Sequence, residues 1–150
     1  MIISRSPLRL SFFGGGTDYP EYFRRKPGAV LGVTIDKYVC VTINKGSPFF
    51  DHGIRVNYAK SETVRCVDDI KHPSVRAVLK TIGLDDLLDI HVFADLPART
   101  GLGSSSAFTV CFLNACHAYQ GRFVGKRQLA EEAIHIEQEI LKENVGIQDQ

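Results

Sequence analysis

The sequence predicts an α+β fold: one domain built on a mostly antiparallel sheet. Three observations carry this. Alternating or β-branched apolar stretches crowd the first half of the chain, helical apolar periods occupy much of the second, and glycine or proline clusters punctuate both. At 150 residues, a chain can bury roughly 70% of its unfolded surface around one core.

Residues 2–13 read as a strand, a kink near Pro7 and a second extended piece, and "GGGTDYP" at 14–20 reads as a loop. The β-branched run at 29–44 predicts two strands or one long bent strand. Ile54, Val56 and Tyr58 alternate, and Val64 and Cys66 share a face, which predicts two further strands. Pro73 opens a helix with Val75, Val78, Leu79 and Ile82 on one stripe, and Gly83 closes it. Ile90, Val92, Ala94 and Leu96 alternate in a half-buried strand. A helix follows from about Ser105 to Gln120, with Ser104 or Ser105 as its N-cap. The last helix spans 126–143, with Leu129, Ala133, Ile136 and Ile140 on one face. No repeat or low-complexity linker divides the chain.

Composition narrows the function classes. The net charge of +1 leaves no electrostatic footprint for nucleic acid. No uncharged run approaches the roughly 20 residues that span a bilayer, and Arg5 and Arg9 interrupt the apolar N-terminus, so neither a membrane span nor a signal peptide is expected. The four cysteines show no metal spacing; Cys111 and Cys116 lie in an apolar helical run and are expected in the core, in a reducing, cytoplasmic setting. The five histidines have no motif partners and receive no role.

The informative stretch is "LPARTGLGSSSAFTV" at 96–110, a glycine-rich loop between a strand and a helix. That arrangement cradles phosphate, because loop amides and the free amides of the first helical turn converge on an anion. It is neither a Walker A loop, which needs a lysine, nor a dinucleotide fingerprint, which needs a third glycine. A nucleophile elbow needs a tighter connection from the strand than residues 97–103 make.

Three segments, "SPLRLSFFGGGTDYP" (6–20), "LPARTGLGSSSAFTV" (96–110) and "GIQDQ" (146–150), resemble in order those of the GHMP small-molecule kinases. Pro97, Gly101, Leu102, Gly103, Ser104 and Ser105 match every fixed position of that family's P-x-x-x-G-L-G-S-S loop. Within the family, Gly14-Gly15-Gly16-Thr17-Asp18-Tyr19 and the 29–43 segment are most similar to the D-glycero-D-manno-heptose 7-phosphate kinases. The resemblance implies the family's N-terminal domain, with helices on one side of the sheet and ATP and Mg²⁺ as cofactors. The acceptor it implies is a small sugar phosphate, with galactose- or fucose-type acceptors as the alternative. A sensing module that has lost turnover is a third reading, disfavoured by the joint presence of Arg9, Ser105, Glu137 and Asp149.

The resemblance also implies roles. Phosphates would rest on Thr100 to Ser105 with Pro97 and Ser106 flanking, and Mg²⁺ on Ser105 and Glu137, spacing leaving Ser104 and Ser106 as alternatives. Asp149 would be the catalytic aspartate with Arg9 its partner. Gly14, Gly15, Gly16, Thr17 and Asp18 would hold the sugar, the glycines by letting backbone amides approach it. Arg24, Arg25 and Lys26 are unranked candidates for a sugar phosphate. Kinases of this family are about twice as long, so the chain reads as an N-terminal half. Its exposed apolar surface predicts self-association, and homo-oligomerisation is an accompanying expectation.

Overall fold

The computed structural model describes residues 1–49, 53–97 and 100–150. Among them, five strands form one sheet: β1 (Ile2–Ser11), β2 (Gly32–Lys45), β3 (Ile54–Asn57), β4 (Ser61–Val64) and β5 (Leu88–Ala94). Their spatial order is β1-β2-β5-β3-β4. The β1–β2, β2–β5 and β3–β4 pairs are antiparallel and β3–β5 is parallel. The helices are α1 (Pro20–Phe23), α2 (Pro73–Ile82), α3 (Ser104–Tyr119) and α4 (Lys126–Ile134), with a 3₁₀ turn at Val67–Asp69 and a π-helical segment at His135–Ile140. The predicted α+β class, mostly antiparallel sheet and one-sided helices are all present.

Period-two alternation sets which sheet face is covered. Val39, Val41 and Ile43 of β2, Ile54 and Val56 of β3, and Leu88 and Ile90 of β5 point the same way and are buried. α3 lies across them, with Phe112, Leu113 and Ala115 fully buried and Cys111 and Cys116 in the core as expected. Burial pushes the thiols of Cys111 and Cys116 well above their ordinary pKa. α2 ends as predicted: Gly83 takes a left-handed conformation (φ +68°), and the Leu84 amide reaches back to the Leu79 carbonyl at 3.0 Å.

Of the two alternatives for the 29–44 segment, the structure takes one long strand, starting at Gly32. One reading changes in detail. The last helix does not run evenly to residue 143. It turns π-helical at His135, where the Leu141 amide bonds the Ile136 carbonyl at 2.9 Å, five residues back, and Lys142 (φ +54°) ends it. The wider turn rotates the following side chains, so Ile140 is 45% exposed instead of facing the core.

Candidate active site

Pro7 cannot donate to the sheet ladder, and the register slips beside it: Pro7 faces Tyr38, but Arg9 faces Thr34. Extra residues of β2 therefore lie opposite Leu8, an irregularity of the kind that re-aims a side chain. Leu8 is fully buried, and the Arg9 amide donates to the Leu102 carbonyl at 3.2 Å. This ties β1 to the glycine-rich loop. The Arg9 guanidinium then donates to the Gly101 carbonyl at 2.8 Å and, through Nε, to Asp149 Oδ1 at 2.5 Å.

Gly103 makes that pairing sterically feasible. A Cβ there would stand 3.2 Å from the Asp149 carboxyl and 3.4 Å from Arg9 Cγ, and its φ of +70° is itself left-handed. Gly103 is also the N-cap of α3, so the helix starts at Ser104 and no serine caps it. With no side-chain cap, the amides of the first turn lack partners within the helix and point toward the loop at the positive end of the helix dipole. Thr100 and Gly101 are exposed at the loop's rim, Leu102 packs on the core, and Pro97 is exposed at its start. Ala98 and Arg99, two wildcard positions of the motif, lie outside the described residues.

A second pair sits behind the loop. Ser106 Oγ donates to Glu137 Oε2 at 2.8 Å. The Gln150 side-chain amide donates to the same carboxylate oxygen and to Ser106 Oγ, the latter at 3.1 Å. Glu137 is 1% exposed, and its Oε1 is buried with no hydrogen-bond partner. It follows Ala133 and Ile136 on one helical face, which carries it inward. Burial first, then the nearby Glu137 charge, hold the Glu143 carboxyl above its ordinary range. Glu137 thus meets Ser106 rather than Ser105, which is exposed. At 3.6 residues per turn, three consecutive serines point in three directions, and only packing selects the inward one.

The glycine loop after β1 forms the opposite wall. Gly14 (φ +71°) and Gly16 (φ +126°) supply conformations that other residues resist. The Gly16 amide is engaged within the loop, donating to Asp18 Oδ1 at 2.7 Å. Asp18 is 6% exposed, its Oδ2 has no partner, and its carbonyl accepts from the Ile147 amide at 3.2 Å. A Cβ on Gly146 would overlap Asp18 Oδ2. The Thr17 hydroxyl exchanges hydrogen bonds with the Ala29 backbone at 2.8 and 3.1 Å, and Thr17 does not line the cleft.

These walls enclose a cleft of about 430 Å³ that brings Arg9, Asp149, Asp18, Gly14–Gly16 and Gln148 together. Among the described residues lining it, Arg9 is the one cation. Arg24 lines a separate depression of about 180 Å³ with Glu21, Glu139 and Glu143. Arg25 and Lys26 line neither. In "GIQDQ" the resemblance implies a role for Asp149 alone; Gln148 and Gln150 flank it and carry no sequence signal of their own.

The glycine-rich loop with the Arg9–Asp149 and Ser106–Glu137 pairs falls within a recognisable lineage. Residues 66–150 match the GHMP kinases N terminal domain. The chain belongs to the GHMP kinase family. This GHMP kinase chain is 31% identical to the D-glycero-alpha-D-manno-heptose 7-phosphate kinase of Campylobacter jejuni, over 99% of the chain and 47% of that relative. It is 29% identical to the galactokinase of Thermotoga maritima, over 97% of the chain and 41% of that relative. The structure of a D-glycero-D-manno-heptose 1-phosphate kinase from Bacteriodes thetaiotaomicron superposes with a TM-score of 0.86 at 26% identity, covering the whole chain and 52% of that protein. The chain thus spans about half the length of the relatives it matches. Among its described residues no helix is long and apolar enough to cross a membrane.

Proposed function

We propose that this chain is the nucleotide-binding, N-terminal half of an ATP-dependent sugar kinase. Its acceptor would be D-glycero-D-manno-heptose 7-phosphate, phosphorylated on the anomeric hydroxyl for surface polysaccharide heptose. The observation that carries the reading is the Arg9–Asp149 pair at 2.5 Å, held at the mouth of the glycine-rich loop. The similarity to a heptose 7-phosphate kinase over nearly the whole chain supports the acceptor.

The residues fit Mg·ATP. The uncapped first turn of α3 and the loop amides suit phosphate oxygens, and the orphaned Glu137 Oε1 beside the Ser106 hydroxyl is a hard oxygen donor set of the kind Mg²⁺ takes. Mg·ATP bound there supplies the phosphoryl group and the cation that offsets its charge. Asp149 lines the cleft, where its carboxylate accepts the proton of the acceptor hydroxyl. An anomeric hydroxyl is more acidic than an ordinary alcohol, so a modest base serves. Arg9 holds that carboxylate in place and brings positive charge to the reacting centre.

The heptose 1-phosphate kinase likeness and the galactokinase relatives favour a second reading, in which a different sugar or a different hydroxyl is the acceptor. The test is ATP turnover by the open reading frame that contains this chain, in a cytoplasmic extract-free system. The acceptors are heptose 7-phosphate, heptose 1-phosphate, galactose and fucose. The reading expects an acid-labile 1-phosphate with heptose 7-phosphate alone, and Asp149→Asn to lower turnover about 10²–10⁴-fold while ATP still binds. Turnover with another acceptor selects the second reading; ATP binding without turnover on any acceptor refutes both.

A further inference from the structure

The three glycines of the "GGGTD" segment do different work. Gly14 and Gly16 have open space where a Cβ would stand and are required by their positive φ. Gly15 has no such backbone demand. There a Cβ would overlap the Gln148 side-chain amide nitrogen and stand 2.8 Å from Asp18 Oδ1. Gly15 is therefore the floor on which the Gln148 amide lies.

Gln148 is only partly exposed, lines the cleft, and immediately precedes Asp149. Its side chain makes no hydrogen bond to any described residue. The contrast with the two nearest glutamines is informative. Gln138 is tied to the Val145 carbonyl at 2.9 Å, and Gln150 to Ser106 and Glu137. A primary amide offers two donors and an acceptor that can accept twice. Held at the cleft wall beside the carboxylate that takes the acceptor proton, it can donate to one sugar oxygen and accept from a neighbouring hydroxyl.

We infer that Gln148 is a specificity-determining residue that reads vicinal hydroxyls of the acceptor sugar, and that Gly15 exists to seat it. This rests on the sugar-kinase reading above and adds to it a residue pair and a chemical class: an acceptor with two adjacent hydroxyls next to the reacting one. A side chain at position 15 would lift the amide from its seat, so the two positions act as one unit.

The experiment is a double-mutant cycle in the open reading frame containing this chain, using Gln148→Met, Gly15→Ala and both together. Each is assayed for KM and kcat on the sugar that the parent protein phosphorylates, and on the 2-deoxy analogue of that sugar. ATP affinity and thermal midpoint are measured alongside. The expected result is an acceptor KM raised about tenfold by either substitution, kcat changed less, and ATP affinity unchanged. The double variant should be no worse than the singles, and Gln148→Met should lose the parent's preference for the hydroxylated sugar over its 2-deoxy analogue. Gln148→Met with parental KM and preference overturns the inference, as does full additivity with Gly15→Ala. If Gly15→Ala fails to fold, the preference ratio of Gln148→Met decides alone. A parent that phosphorylates no sugar defeats the proposed function itself. A parent that phosphorylates sugar while the Gln148→Met variant keeps its preference defeats only the inference.

Discussion

Glu137 is a buried carboxylate with one oxygen unpartnered, no cation within ion-pair distance among the described residues, and a second carboxylate, Glu143, close enough to feel its charge. Such a group costs the free protein stability, and Glu137→Gln should recover part of that cost. Only Oε2 is satisfied, by Ser106 and Gln150. The amide still leaves one polar atom without a partner but carries no charge, and the difference between burying a charged and a neutral group of this kind is about 2 kcal/mol. For a cooperative unit of 150–250 residues that corresponds to a rise in thermal midpoint of about 4–8 °C. The assay is differential scanning calorimetry in chelator and again with saturating Mg·ATP, with the exposed Glu139→Gln as a control. The variant should melt higher than the parent in chelator and lose most of the parent's Mg·ATP-induced rise, a stability–activity trade-off at a working site. A lower or unchanged midpoint in chelator would mean that the Glu137 charge carries no such cost. An undiminished Mg·ATP response would remove Glu137 from the metal site.

Two further outcomes follow from particular contacts. Ser106→Ala deletes the hydroxyl on Glu137 and should weaken Mg·ATP binding by about tenfold or more, a lost charge-assisted hydrogen bond being worth about 1.5–3 kcal/mol; Ser105→Ala, at an exposed position, should change it little, and titration calorimetry of both variants distinguishes them. Glu62 is buried, and although burial alone would raise its pKa, hydrogen bonds from the Tyr58 hydroxyl and from the Lys71 and His72 amides hold it below the ordinary glutamate value. A folded pKa depressed in this way gives stability that is present above the unfolded value of about 4.3 and lost as pH falls through the folded one. Glu62→Gln should therefore flatten the acid limb of the stability curve, measured by urea unfolding across that range, and an unchanged limb would contradict the network.

Much of the fold was legible in the sequence, because its signals are local. Alternation marked the strands, a proline and a left-handed glycine bounded α2, and the loop motif located the start of α3. Arg9 and Asp149 lie 140 positions apart, and only the resemblance to a known family, not any local pattern, joined them in advance. Tertiary structure decided the rest. Which of three adjacent serines meets Glu137 depends on the rotation of α3 against a helix that turns π-helical at His135, and the outward swing of Ile140 comes from that same turn. Thr17 belongs to the segment the resemblance assigns to the sugar, yet its hydroxyl is bonded to the Ala29 backbone, because the loop folds back on the entry to β2. Gly15 and Gln148, far apart in the chain, gain meaning only when packed together. Periodicity and turn chemistry need only neighbours along the chain and can be read from it; the aim of a side chain depends on how distant elements rotate and pack, and that is set only when the core closes.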